Sequence, residues 1–144
     1  MGSYSAEVIV RLPMIGEAKG PHLRTSENVA NVCRDMEGLA QETFHVLTLD
    51  QKNAVIDRHM VALGSLTGAL VHPREVFRLA LLDCAAAVAF VHNHPSGNPV
   101  PSKDDIELTA RLTEVAKLLG IRVLDHVIIG REGRRFSFCE EGLL

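Results

Sequence analysis

Residues 85–97 read Ala85-Ala86-Ala87-Val88-Ala89-Phe90-Val91-His92-Asn93-His94-Pro95-Ser96-Gly97. Seven small or apolar residues run straight into two imidazoles one residue apart, and the chain then breaks at a proline. An apolar run this short, bounded by turn residues, has the pattern of a strand covered on both faces. Side chains two apart on a strand share a face, so His92 and His94 can aim both rings at one point while Asn93 points away. Pro95 lacks a backbone donor and closes the strand. The carboxyl end of a sheet strand is where α/β folds commonly build their sites.

Toward the N-terminus, Pro73 sits at a favourable first helical position, and Val76, Phe77, Ala80 and Leu81 mark that helix's buried face. Residues 43–49 and 54–63 read as two strands around the turn Asp50-Gln51-Lys52-Asn53, making a hairpin, and 67–71 is a candidate third strand. Thr25-Ser26-Glu27 opens a helix with the stripe Val29, Val32, Cys33, Met36 and Leu39. A strand over 6–12 and a Gly/Pro/Lys loop over 16–24 precede it. Toward the C-terminus, residues 102–119 form the longest helix, with the stripe Leu108, Leu112, Val115 and Leu119, stopped by Gly120. Strands follow over 121–129 and 135–139. This order predicts an α/β domain with a mixed sheet flanked by helices, not a purely parallel doubly wound fold.

A chain of 144 residues is long enough to bury one core of its own. Its net charge of −3 offers no broad footprint for nucleic acid, and Arg131, Arg134 and Arg135 make the only obvious basic cluster. Cys33, Cys84 and Cys139 are far apart, with no C-x-x-C pair. Two of them stand in apolar contexts, which predicts reduced core thiols, and their count and spacing exclude a structural zinc site of four cysteines or of a close pair with two histidines. The N-terminus shows no basic-then-apolar leader, and no apolar run approaches about 18 residues. A cytoplasmic protein is the expectation, with no membrane partner.

Ser102-Lys103-Asp104-Asp105 has the form of a capping box, with Ser102 as N-cap and an acid at the third helical position. The same piece can supply chemistry. Two imidazoles at a strand end and a carboxylate on the next helix's first turn give three N/O ligands, leaving a position for water, as in catalytic zinc sites. Such a site generates a nucleophile near neutral pH and polarises a carbonyl. Spacing does not choose between Asp104 and Asp105. A carboxylate base is also needed, and Glu42, Asp50, Glu75 and Asp83 are all candidates. Zinc suits the donor set best, with Fe2+ or Mn2+ as lesser alternatives. A zinc nucleobase deaminase is excluded, because H-x-E and P-C-x-x-C are both missing.

His92-Asn93-His94-Pro95, followed after six residues by Ser102-x-x-Asp105, resembles the JAMM metalloprotease motif of the MPN/JAB superfamily. The resemblance to the bacterial RadC family is closer still, through 71–77, 92–97, 101–106 and 124–130. It implies one zinc ion held by His92, His94 and Asp105, with Glu42 as general base and proton shuttle and Ser102 stabilising the oxyanion. It implies a JAB/MPN-like fold over 25–144, related to the cytidine deaminase-like architecture, behind an extension over 1–24. Asn93 stands where eukaryotic deubiquitinating members carry Ser, whereas Asn is usual in RadC-like sequences. About two dozen leading residues cannot supply the helix-hairpin-helix region of full-length RadC proteins. His72 and His126 read as a helix-start and a strand-face residue bonded to backbone, with orientation of a zinc ligand as the alternative.

The function expected is zinc-dependent hydrolysis of an amide or isopeptide bond by a metal-activated water, on a protein or peptide substrate. The alternative is a DNA-repair-associated or protein-interaction module that retains a metal site with little or no catalysis.

Overall fold

The apolar run does become the middle of a sheet, displaced by two residues. The computed structural model describes residues 18–64 and 71–144. In chain order these form α1 (Ser26–Val32), a 3-10 turn (Arg34–Met36), β1 (Thr43–Leu49), β2 (Val55–Leu63), α2 (Pro73–Leu82), β3 (Ala87–Asn93), α3 (Lys103–Leu119), β4 (Arg122–Ile129) and β5 (Arg135–Ser137). The expected strand over 6–12, and all but Val71 of the one over 67–71, lie outside the described residues.

The sheet order is β2-β1-β3-β4-β5. Among the described strands only β3 and β4 run parallel; β1 is antiparallel to both β2 and β3, and β5 is antiparallel to β4. This is the mixed sheet that the element order predicts. Every residue of β1 and β3 is buried, as central strands with both faces covered require. Phe44, Val46, Val88 and Phe90 face α2 and α3, where they pack with Phe77, Ala80, Leu108 and Leu112. The alternate residues Leu47, Leu49, Ala87, Ala89 and Val91 pack with Leu23, Val29, Cys33 and Met36 on the other face. Burying one such large side chain stabilises by about 1.5–3 kcal/mol. The two clusters therefore fix which way each β3 side chain points. His92 falls on the α3 face and Asn93 on the α1 face.

Three local expectations change. The first helix is shorter than its stripe suggested: it stops at Val32 and tightens into the 3-10 turn, where Met36 N donates to Cys33 O. Three-residue spacing brings Cys33 and Met36 to the core together, and Leu39 is left exposed. The central strand starts at Ala87 because Cys84 adopts φ +53 and turns the chain after α2. Of the cysteines, only Cys33 is a core thiol, pushed up to about 11 by burial; Cys84 and Cys139 are exposed. Among the described residues no helix is long and apolar enough to cross a membrane.

Candidate metal centre

The β1–β3 ladder ends with the pair Phe44–His92, so Glu42 and His94 emerge together at one rim of the sheet. α3 begins beside them. Ser102 Oγ accepts from Asp105 N at 3.1 Å, and Ser102 N donates to Asp105 Oδ2 at 2.8 Å, which is the expected capping box. Asp105, not Asp104, is thereby turned inward and buried. Glu42, His92, His94, Ser102 and Asp105 are brought into one cluster. The other candidate bases lie elsewhere: Asp50 caps the hairpin turn, Glu75 pairs with Arg78, and Asp83 binds His59 and Thr48.

The two nitrogens are spaced as in a coordination shell, and Asp105 meets each of them through a different oxygen. His92 Nε2 lies 3.1 Å from His94 Nε2 and 3.3 Å from Asp105 Oδ1, and His94 Nε2 lies 3.2 Å from Asp105 Oδ2. The edge of a tetrahedron with about 2.0–2.1 Å metal–ligand bonds is about 3.3 Å. Glu42 Oε1 stands further out, 3.7 Å from His94 Nε2, and it too can offer a ligand atom beside both histidines. A second His/Asp group, Asp57, His59 and Asp83, shares none of these residues.

Hydrogen-bond direction points the lone pairs inward. Thr109 Oγ1 donates to Asp105 O at 2.7 Å, so toward His126 Nδ1, 2.6 Å away, it can only accept. His126 therefore carries its proton on Nδ1, and its Nε2 accepts from His92 Nδ1 at 2.7 Å. His92 Nε2 is left as a bare lone pair. His94 Nδ1 likewise donates to Asn98 O at 2.8 Å, which frees its Nε2. Two imidazole Nε2 atoms and an ionised carboxylate thus converge, an arrangement that a cation satisfies, whether a metal ion or a proton on His94. Histidines that bind metal characteristically donate their second N–H to such a partner.

The two histidines differ in their electrostatics. Burial holds His92 below its usual range against the pull of Asp105, and it holds His126 far below, helped by the neighbouring His92. His94 feels the same burial, but Asp105 and the Asn98 carbonyl outweigh it and its pKa rises. Burial would raise Asp105, yet the His92 and His94 contacts overcome it and hold the carboxyl well below the carboxylate range.

His126 is the residue whose part the sequence understated. A backbone-bonded strand residue was the first expectation and an orienting role the alternative; the ring takes the second, bonded to His92. It is fully buried, stacked on Phe138 with ring centroids 4.6 Å apart and edge-on to Phe44. The signal available was its place on a strand parallel to β3, but a register is needed to pair Phe90 with His126. His72 precedes α2 as its N-cap and makes no side-chain cap bond. Replacing His126 by Phe should weaken zinc binding by about 10–100-fold, as loss of an outer partner does; competition with a chelating dye measures it.

Two further outcomes follow from this rim. Ser102→Ala removes the cap of α3 and should cost about 1 kcal/mol, read as a lower urea midpoint. His45, on β1, lies between Thr43 and Arg58, and burial together with Arg58 pushes it down to about 4. An unfolded histidine binds its proton near pH 6.5, so stability tied to this neutral ring is present above that pH and is lost as pH falls toward 4. His45→Gln should make the metal-free protein's loss of stability between pH 7 and pH 5 smaller by roughly 2 kcal/mol. Equal urea-midpoint shifts in wild type and variant would count against it.

Fold and rim together define a mixed-sheet α/β domain with a candidate two-histidine, one-carboxylate metal centre. The model of the RadC-like JAB domain matches residues 23–143, and the chain belongs to that family. It is 50% identical over 123 residues to a UPF0758 protein of Bacillus pumilus, covering 85% of this chain and 54% of that one. It is 55% identical over 104 residues to one of Trichlorobacter lovleyi, covering 72% and 45%. A UPF0758 protein of Caldanaerobacter subterraneus subsp. tengcongensis is 44% identical over 133 residues, covering 92% and 57%. The chain spans about half the length of these relatives.

Proposed function

We propose that the protein is a zinc-dependent hydrolase of amide bonds, peptide or isopeptide, with His92, His94 and Asp105 as ligands. The observation that carries this reading is the convergence of two imidazole Nε2 atoms and a buried carboxylate within 3.1–3.3 Å of one another. The donor set of two imidazoles and one carboxylate suits zinc and leaves a position open for water. A zinc ion held there supplies a Lewis acid that acidifies water and polarises a carbonyl.

The chain's own residues do the rest. Glu42 stands beside the ligands rather than among them, with its side chain partly open to solvent, and it takes the proton of the attacking water. The same carboxyl group returns that proton to the departing nitrogen. Ser102 Oγ accepts the Asp105 amide, and its own proton serves the oxyanion, so cap and catalytic roles coexist. Asp105 stays ionised through its contacts with both histidines.

The test is a screen of folded proteins and peptides for newly released amines, with zinc-loaded and zinc-stripped protein side by side. Hydrolysis that vanishes on stripping and returns with zinc supports the reading. Hydrolysis indifferent to zinc, or none with any substrate, counts against it.

A further inference from the structure

Asn93 points away from the metal ligands, and yet it is bonded to both neighbours of Glu42. Its Oδ1 accepts from Thr43 N at 2.8 Å and from Thr43 Oγ1 at 2.9 Å, and its Nδ2 donates to Gln41 O at 2.9 Å. Continuing the register past Phe44–His92 sets Thr43 opposite Asn93. The amide side chain thus adds a rung to the ladder where backbone pairing stops. From the other side, Gly64 N donates to Glu42 O at 2.8 Å. The peptide groups on both sides of Glu42 are therefore clamped.

The clamp is itself held from the surface by a relay of donors that starts at Arg58 and runs inward. Asp35 grips Arg58 with two bonds of 2.7 and 2.9 Å; Arg58 Nε donates to His45 Nδ1, and His45 Nε2 to Thr43 Oγ1. Thr43 then has one proton left, and it goes to Asn93. We propose that Asn93 is a positioning residue that sets the Glu42 carboxylate beside the metal centre, without itself contributing to metal affinity. Serine is too short to reach both Gln41 and Thr43. Aspartate reaches both but turns an oxygen on the Gln41 carbonyl.

This inference rests on the hydrolase reading, and the experiment separates the two. The probe is acetohydroxamate, whose chelating group carries an acidic O–H that a carboxylate beside zinc accepts. Its affinity is measured calorimetrically on zinc-loaded protein, and zinc affinity by dye competition. Asn93→Leu should weaken acetohydroxamate at least tenfold, and Asn93→Asp, which keeps the Thr43 bonds, at least threefold; zinc affinity should stay within threefold for both. Glu42→Gln should weaken acetohydroxamate at least tenfold, and Asn93→Leu/Glu42→Gln should be no weaker than Glu42→Gln alone. Wild-type acetohydroxamate affinity in both Asn93 variants, multiplying effects in the double variant, or a parallel loss of zinc overturns the inference and leaves the Glu42 role standing. Failure of the wild type to bind zinc, or no effect of Glu42→Gln, overturns the Glu42 role and this inference with it. Should Asn93→Leu not fold, Asn93→Asp decides alone.

Discussion

Glu42→Gln is expected to slow hydrolysis by about 10²–10⁴-fold, the usual worth of a general acid–base group, while zinc content stays at one ion per chain. Glutamine matches glutamate in shape and keeps the backbone bond from Gly64 to residue 42. What it loses is the capacity to take a proton. The contrast with the proposed ligands is geometric. Asp105 approaches both histidine nitrogens at 3.2–3.3 Å and is buried, whereas Glu42 comes only to 3.7 Å of His94 and keeps some solvent contact. Turnover and zinc content, measured on the same preparation, decide the matter. Lost zinc in Glu42→Gln would make Glu42 a ligand, and full turnover would remove it from the mechanism.

How much of this was readable beforehand depends on the range over which each interaction acts. The capping box at Ser102 and Asp105 is local, and four residues suffice to see it. The apolar run before His92 announces a covered central strand for the same reason. Its start could not be placed, because Ala85 and Ala86 are as apolar as Ala87, and the left-handed Cys84 that turns the chain leaves no mark in composition. The α1 stripe failed at Leu39 because a 3-10 turn resets the period after Val32. The choice between Asp104 and Asp105, and among four candidate bases, turned on the resemblance to RadC sequences. The fold brings Glu42 to the rim through antiparallel pairing with β3, a contact between residues fifty apart in sequence. His126 and Asn93 were hardest to read. Both act through a ring or an amide across a strand pair, and only a register says whom they meet.

The steepest loss of metal is expected for His94→Ala/Asp105→Ala, which should purify without stoichiometric zinc. Losing an outer partner such as His126 costs about 10–100-fold, so losing two direct ligands should exceed about 10³-fold. Each ligand's removal also disturbs the other. Without Asp105, His92 loses the largest contact that opposes its burial, and His94 loses the largest of the contacts that offset its own. With both residues replaced by alanine, the residue-105 amide still donates to Ser102 Oγ and the residue-105 carbonyl still accepts from Thr109 Oγ1, which holds α3 in place. The double variant should therefore fold and still bind no metal. Stability reports the same difference independently: zinc at about 1,000 times its dissociation constant should stabilise the wild type by about 4 kcal/mol and the double variant by almost nothing. Metal analysis of protein purified without added zinc, with melting curves run with and without zinc, gives both readings. A double variant that retained stoichiometric zinc, or gained as much stability from it as the wild type, would place the ion elsewhere, and the Asp57, His59 and Asp83 group would be the first place to look.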